Sequence, residues 1–172
     1  MNVNTVILPD NAEDTNGDNV LDDIIAACED NGTNVVYITH DTEFTAGAIR
    51  LSVYESSERG SRDESGIMST VSIGNYDMLV TGDVEKVVER ELISLHDLSD
   101  TELLIVPHHG SKYSTSDELL SELRPETAVI STGYNRYGHP TKETLDKLNE
   151  YGVNVLRTDE LGRIVLHVAS GD

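Results

Sequence analysis

An α/β fold with a partly parallel sheet is what the sequence predicts, on three observations. Short apolar runs alternate with helical stretches through the second half of the chain, turn-forming residues separate them, and polar clusters fall where several apolar runs end.

The first periodic segment is residues 19–30, where Leu21, Ile24, Ile25 and Cys28 recur at helical spacing and Asn31-Gly32 follows as a stop signal. Residues 34–38 form a short apolar run. Residues 48–54 alternate Ile49, Leu51 and Val53 against Arg50 and Ser52, so both stretches read as strands. Residues 55–66, rich in Ser, Arg, Glu and Gly, read as a loop and as the preferred place for a proteolytic nick. Residues 67–73 and 76–80 flank Gly74-Asn75, a connection suited to a tight β-hairpin. The alternation then sets in: helix 84–95, strand 102–106, helix 116–123, strand 127–131, helix 141–151, and short strands near 153–156 and 163–168. No internal repeat or low-complexity linker interrupts it.

At 172 residues the chain is the size of one domain. Its 37% hydrophobic residues arrive in bursts, as at Leu103 to Val106, which a disordered acidic polymer would not show. The net charge of −20 is uneven: residues 1–49 hold ten acidic side chains and no Lys or Arg. Such a surface repels phosphate backbones, which argues against a dedicated nucleic-acid-binding module. A metal-dependent enzyme escapes part of that objection, because divalent cations bring positive charge to the reacting phosphate. The plainer meaning of the acidity is solubility or a salt-adapted surface. Cys28 is the only cysteine, so no intrachain disulfide forms and a Cys-rich zinc site is excluded. No apolar run approaches the ~20 residues a membrane span requires, and no signal peptide is visible.

Three polar clusters stand at expected strand ends: Thr81-Gly82-Asp83, Pro107-His108-His109-Gly110-Ser111 and Gly138-His139-Pro140. Loops from neighbouring strands converge at such ends and helix N-termini face them. One carboxylate and up to three imidazoles suit zinc, manganese or iron rather than calcium. Each has a structural alternative. Asp83 stands just before a helix and could be its N-cap. The pair His108-His109 is harder to dismiss, since neither capping nor packing asks for two imidazoles. Pro140 fits the first position of the next helix, whose positive end would keep the His139 ring neutral, the form that binds metal. His96 and His167 lack such context and read as structural or solvent-facing.

Taken in order, Met78 to Asp83, Leu103 to Ser114, Ala128 to Pro140 and Leu156 to Asp159 resemble the C-terminal half of ComEC-like metallo-β-lactamase domains, a family tied to DNA internalisation in competence. The resemblance runs over about residues 65–168 and implies an αββα sandwich, present here as its C-terminal half with a mixed sheet and flanking helices. On it, the chain is a single domain, 1–172, with 1–64 an acidic lead-in and 65–172 the family's second half. The resemblance further implies phosphodiester hydrolysis of nucleic acid or a small phosphodiester. It gives Asp83, His109 and His139 as ligands of a divalent metal, zinc or manganese, with Asp83 bridging, and His108, His109 and Ser111 as catalytic, His109 either ligating or shuttling a proton. It implies the soluble, extracytoplasmic domain of a bacterial membrane protein.

The pattern is incomplete. Complete members carry an upstream His-x-His-x-Asp-His cluster, and this sequence has none; the stretch from Thr39 to Ala48 supplies only His40 in register. The metal site is therefore expected to be partial, the isolated chain inactive, and a catalytically silent interaction or regulatory module stands as the alternative. Ester or lactone hydrolysis is a third reading. A half-sandwich would expose a sheet face, so a homodimer through that face is expected. The segment from Asp14 to Asp22 resembles a calcium loop, but Asn19 and Ile25 occupy positions that require Gly and a carboxylate, so a polar turn that caps the first helix is preferred.

Overall fold

The structure is a computed structural model that describes residues 3–9, 19–55, 67–99 and 101–168. It divides into two compact units, Met1–Thr42 and Glu43–Asp172.

In the first unit, β1 (Thr5–Pro9) and β2 (Asn34–Ile38) pair in parallel from Thr5↔Asn34 to Pro9↔Ile38, joined through α1 (Val20–Asn31). The helix stops where Gly32, at φ 64°, donates its N–H to the carbonyls of Cys28 and Glu29, the left-handed ending that glycine accepts without cost. Cys28 is the helix's one buried residue, as the apolar pattern predicted. Most of the calcium-like loop and of the loop at 55–66 lies outside the described residues.

The second unit holds a seven-stranded sheet: β3 (Thr42–Ala46), β4 (Ile49–Tyr54), β5 (Met68–Ile73), β6 (Tyr76–Val80), β7 (Leu103–Ile105), β8 (Thr127–Ile130) and β9 (Asn154–Arg157), in chain order across the sheet. The pairs β4–β5 and β5–β6 are antiparallel, whereas β6–β7, β7–β8 and β8–β9 are parallel. Gly74, at φ 63°, makes the predicted hairpin. Between the parallel strands run α2 (Lys86–Leu95), α3 (Asp117–Leu123) and α4 (Lys142–Glu150), and α5 (Thr158–Leu161) follows β9. This is the mixed sheet with flanking helices that the sequence predicts. Residues 163–168 are not the expected strand; they are irregular, with Val165 56% and Leu166 42% exposed, since apolar residues without a paired neighbour gain nothing from extension.

Met68, Leu79, Leu104, Ala128 and Ile130 of the sheet pack against Val88 and Leu92 of α2, Leu119 and Leu120 of α3, and Leu148 of α4. Each fully buried Leu or Val there contributes roughly 1.5–3 kcal/mol. The geometry that matters for function follows from strand direction. Four consecutive parallel strands must end on one edge of the sheet, so the residues after β6, β7, β8 and β9 meet there whatever their separation in sequence.

Candidate metal centre

The edge is tied together first at β6 and β7. Thr81, fully buried, donates its hydroxyl to the Ile105 carbonyl at 2.7 Å. Gly82 turns at φ 58° and its carbonyl accepts the His108 N–H at 2.9 Å. These two residues leave Asp83 projecting with a side chain 64% exposed. The helix-capping alternative for Asp83 does not hold: α2 starts at Lys86, its cap position is Glu85, and no side chain caps it.

After β7 the chain makes a left-handed turn: His108 lies at φ 51°, His109 at φ 53° and Gly110 at φ 82°. Two successive non-glycine residues in this region cost roughly 1–2 kcal/mol each, and such backbone strain gathers at functional sites. The turn divides the two imidazoles. His109 swings outward, its Nδ1 2.7 Å from the Ser131 carbonyl and its Nε2 3.6 Å from Asp83 Oδ1. A carbonyl can only accept, so the neutral ring carries its proton on Nδ1 and presents the Nε2 lone pair toward the carboxylate; this is how metal-binding histidines are commonly oriented. His108 is half-buried, and its Nδ1 is sequestered without a hydrogen-bond partner. Ser111 is 1% exposed, and its hydroxyl accepts the Tyr113 N–H at 3.3 Å. It braces the loop from inside the fold and is not brought to the open edge.

His139 arrives on the loop after β8. Asn135 holds that loop: its Oδ1 accepts the His139 N–H at 3.0 Å and its Nδ2 donates to the His139 carbonyl at 2.6 Å. The His139 and His108 rings meet edge to face with centroids 5.6 Å apart. The following helix begins only at Lys142 and is capped by Thr141, which accepts the Thr144 N–H. Pro140 is thus not its first residue, and proximity to the helix end is not what shifts the His139 pKa. Burial, then the neighbouring His108 and His109, push its pKa below the ordinary 6.5, while Asp83 acts in the opposite sense. Because the unfolded ring binds a proton more readily, His139 stabilises the fold above pH 6.5 and that contribution fades as pH falls. An NMR titration is expected to give His139 a midpoint below 6.5 and Asp83→Asn to lower it further; a midpoint at or above 6.5 contradicts this environment.

The His-His-Gly-Ser loop is also clamped from beneath by a residue the sequence reading missed. Glu89 of α2, fully buried, accepts the N–H groups of Thr115 and Ser116 at 2.6 and 2.7 Å. Lys86 donates to the Lys112 carbonyl at 2.9 Å and Lys147 to the Thr115 carbonyl at 2.8 Å. A charged residue at a helical core position is the signal in the sequence that marks Glu89. Thr158, after β9, closes the edge by donating to the Thr132 carbonyl at 2.6 Å and accepting the Thr132 N–H at 2.8 Å.

The donors fit a divalent metal only in part. Metal–ligand bonds of about 2.0–2.2 Å allow one ion to sit between Asp83 Oδ1 and His109 Nε2. Among the described residues, however, no three His, Cys, Asp or Glu side chains converge closely enough to hold one. His139 lies nearby without joining the pair, so among the described residues two candidate donors, and not three, come together.

No family model matches the chain. Its fold is that of the metallo-β-lactamases: the metallo-beta-lactamase fold protein YhfI from Bacillus subtilis superposes with a TM-score of 0.52 at 11% identity, over 90% of this chain and 63% of that one. Among curated proteins, ComE operon protein 3 of Bacillus subtilis (strain 168) is 38% identical over 111 residues, which is 64% of this chain and 14% of that protein. Competence protein ComA of Neisseria gonorrhoeae is 34% identical over 119 residues, 67% of this chain and 17% of the relative. Recombination protein 2 of Haemophilus influenzae is 38% identical over 95 residues, 55% of this chain and 12% of the relative. The chain is a ComEC-like segment of metallo-β-lactamase fold, spanning well under a fifth of the relatives it matches. None of its described helices is long and apolar enough to cross a membrane.

Proposed function

We propose that this segment is one side of a metal-dependent phosphodiesterase or nuclease site, in which Asp83 and His109 are metal ligands and His139 is a third donor brought in when the shell is completed from outside these residues. The observation that carries the reading is the convergence of the Asp83 carboxylate and His109 Nε2, 3.6 Å apart, with the imidazole oriented by the Ser131 carbonyl. A metal completed there would lower the pKa of a bound water and steady the anionic transition state. The residues of this chain orient the ligands, and burial together with His108 and His109 lowers the His139 pKa. The same reading makes the segment the extracytoplasmic domain of a larger competence protein.

Zinc titration by calorimetry tests this. The chain is expected to take up zinc weakly at a single site, with affinity lowered at least ~10-fold by Asp83→Ala and by His109→Ala. The thermal midpoint of the metal-free protein should hardly move, because both side chains are more than half exposed. Zinc uptake indifferent to both changes would refute the assignment. A silent interaction module is favoured by the absence of three converging ligands among the described residues. It predicts no zinc uptake and no hydrolysis of a chromogenic phosphodiester with added manganese, even when a segment bearing a His-x-His-x-Asp-His cluster is supplied.

A further inference from the structure

The metal reading leaves one motif without a role, Leu156 to Asp159, which ends β9 and begins α5. The parallel ladder between β8 and β9 stops at Ile130↔Arg157. Beyond it the chain turns into α5, where the Gly162 N–H reaches the Thr158 carbonyl at 2.9 Å. The next rung is therefore made by a side chain: the half-buried Thr158 accepts the Thr132 N–H at 2.8 Å and donates its hydroxyl to the Thr132 carbonyl at 2.6 Å. A hydroxyl does this because it is donor and acceptor at one atom.

The N–H that Thr158 holds belongs to the same peptide unit as the Ser131 carbonyl. That unit is planar and trans, so its N–H and its C=O point in opposite directions and cannot turn independently. On the far side the Ser131 carbonyl stands 2.7 Å from His109 Nδ1. Thr158 thus grips one end of an amide whose other end sets the imidazole. An amide whose N–H is bonded is also polarised, and its carbonyl becomes the stronger acceptor. Thr158 is itself anchored. Arg157 sends Nε and Nη2 to the two carboxylate oxygens of Asp159 at 3.1 and 2.6 Å, and Nη1 to Glu160 at 2.8 Å, tying together the residues on either side of it.

We propose that Thr158 is a positioning residue for His109: through the Ser131–Thr132 peptide it fixes the tilt of the ring and holds the neutral imidazole's proton on Nδ1, so that the Nε2 lone pair is directed toward Asp83. The consequence for metal uptake rests on the metal-site reading of Asp83 and His109, whereas the effect on the ring does not.

The test is nitrogen-15 NMR of the metal-free full chain at about pH 9, where an imidazole with the ordinary pKa of ~6.5 is neutral and the two ring nitrogens report which of them carries the proton. Thr158→Val keeps the shape and removes the hydroxyl. It is expected to move His109 from the Nδ1-protonated tautomer toward a mixture with averaged nitrogen shifts, and Thr158→Ser to restore the parent pattern. Arg157→Gln leaves the hydroxyl in place but loosens its anchor, so it should move His109 the same way by less. Thr101→Val is the control for lost stability alone. Thr101 is 3% exposed and donates to the Leu98 carbonyl at 2.8 Å, ahead of β7 and so at the opposite edge of the sheet; its loss should leave His109 as in the parent. In zinc calorimetry Thr158→Val should weaken uptake at least ~3-fold, less than removal of a ligand, with Thr158→Ser at the parent level. His109 shifts unchanged in both Thr158→Val and Arg157→Gln, or changed as much by Thr101→Val, overturn the proposal. Altered His109 shifts together with zinc uptake indifferent to Asp83→Ala and His109→Ala would uphold the positioning role and refute the metal assignment alone.

Discussion

Glu89→Ala is expected to destabilise the protein by about 3 kcal/mol in urea unfolding, the price of stranding two buried N–H groups and opening space beneath the histidine loop. The carboxylate is fully buried and bridges α2 to the N–H groups of Thr115 and Ser116 at 2.6 and 2.7 Å. Thr115 sits at φ 57°, a conformation a β-branched residue adopts only when its surroundings hold it there. Glu89→Gln keeps the volume but turns an amide NH₂ toward one of the two donors, so a loss of about 2 kcal/mol is expected. Burial raises the Glu89 pKa above its ordinary 4.5; opposing it are the hydrogen bonds from Ser116 and Thr115, and Lys86. The folded state holds the proton more tightly than the unfolded one, so this group's contribution is fully present below pH 4.5 and is lost as pH rises through the folded value. The advantage of the parent chain over Glu89→Gln should therefore narrow with rising pH across that window. A Glu89→Ala protein within about 0.5 kcal/mol of the parent would show that the clamp is not what orders the loop.

Gly110→Ala is expected to cost about 3 kcal/mol and to impair zinc uptake as well. Gly110 lies at φ 82°, and an added Cβ would stand 2.6 Å from the Pro140 Cβ and 3.1 Å from its Cα. Those atoms belong to a ring and to backbone, so they cannot swing aside as the end of a flexible side chain can. Relief requires the histidine turn and the His139 loop to separate, although the Gly110 carbonyl is bonded to the Thr141 N–H at 2.9 Å. His109 and His139 would then part, which links this stability loss to the metal site. Gly82→Ala, also at positive φ, offers a contrast: its nearest contact is 3.6 Å, leaving backbone conformation as its main cost. Equal stabilities for the Gly110→Ala protein and the parent would mean that the two loops do not pack as described.

The elements legible in advance were those with a strong period and a tertiary role that agreed with it. The helices near 84–95, 116–123 and 141–151 were found within two residues of their ends, because Leu and Val recur on one face and Ser116 and Thr141 cap by side chain. Three elements were missed. β1 and α5 are short, and β3, with the sequence Thr-Glu-Phe-Thr-Ala, is polar and half exposed and is a strand because the adjoining β4 offers it hydrogen bonds. Residues 163–168 show the converse, an apolar run without a partner strand that stays irregular.

For the site, the sequence by itself determined which side chains could carry the chemistry: a carboxylate, paired imidazoles and a later histidine, each beyond an apolar run, with no upstream histidine cluster. Composition also determined that few ligands were on hand. Only the tertiary structure decided which of them meet. Parallel pairing of β6 to β9 brings their ends to one edge, and the left-handed turn then sends His109 toward Asp83 and His108 inward. Burial set Ser111 inside the fold and made Glu89 a brace. Neither outcome is written in residue type, because hydrogen-bond satisfaction in a packed interior depends on what lies across the contact. The residues of the candidate site were therefore readable from the chain, and the reason they stand together was not.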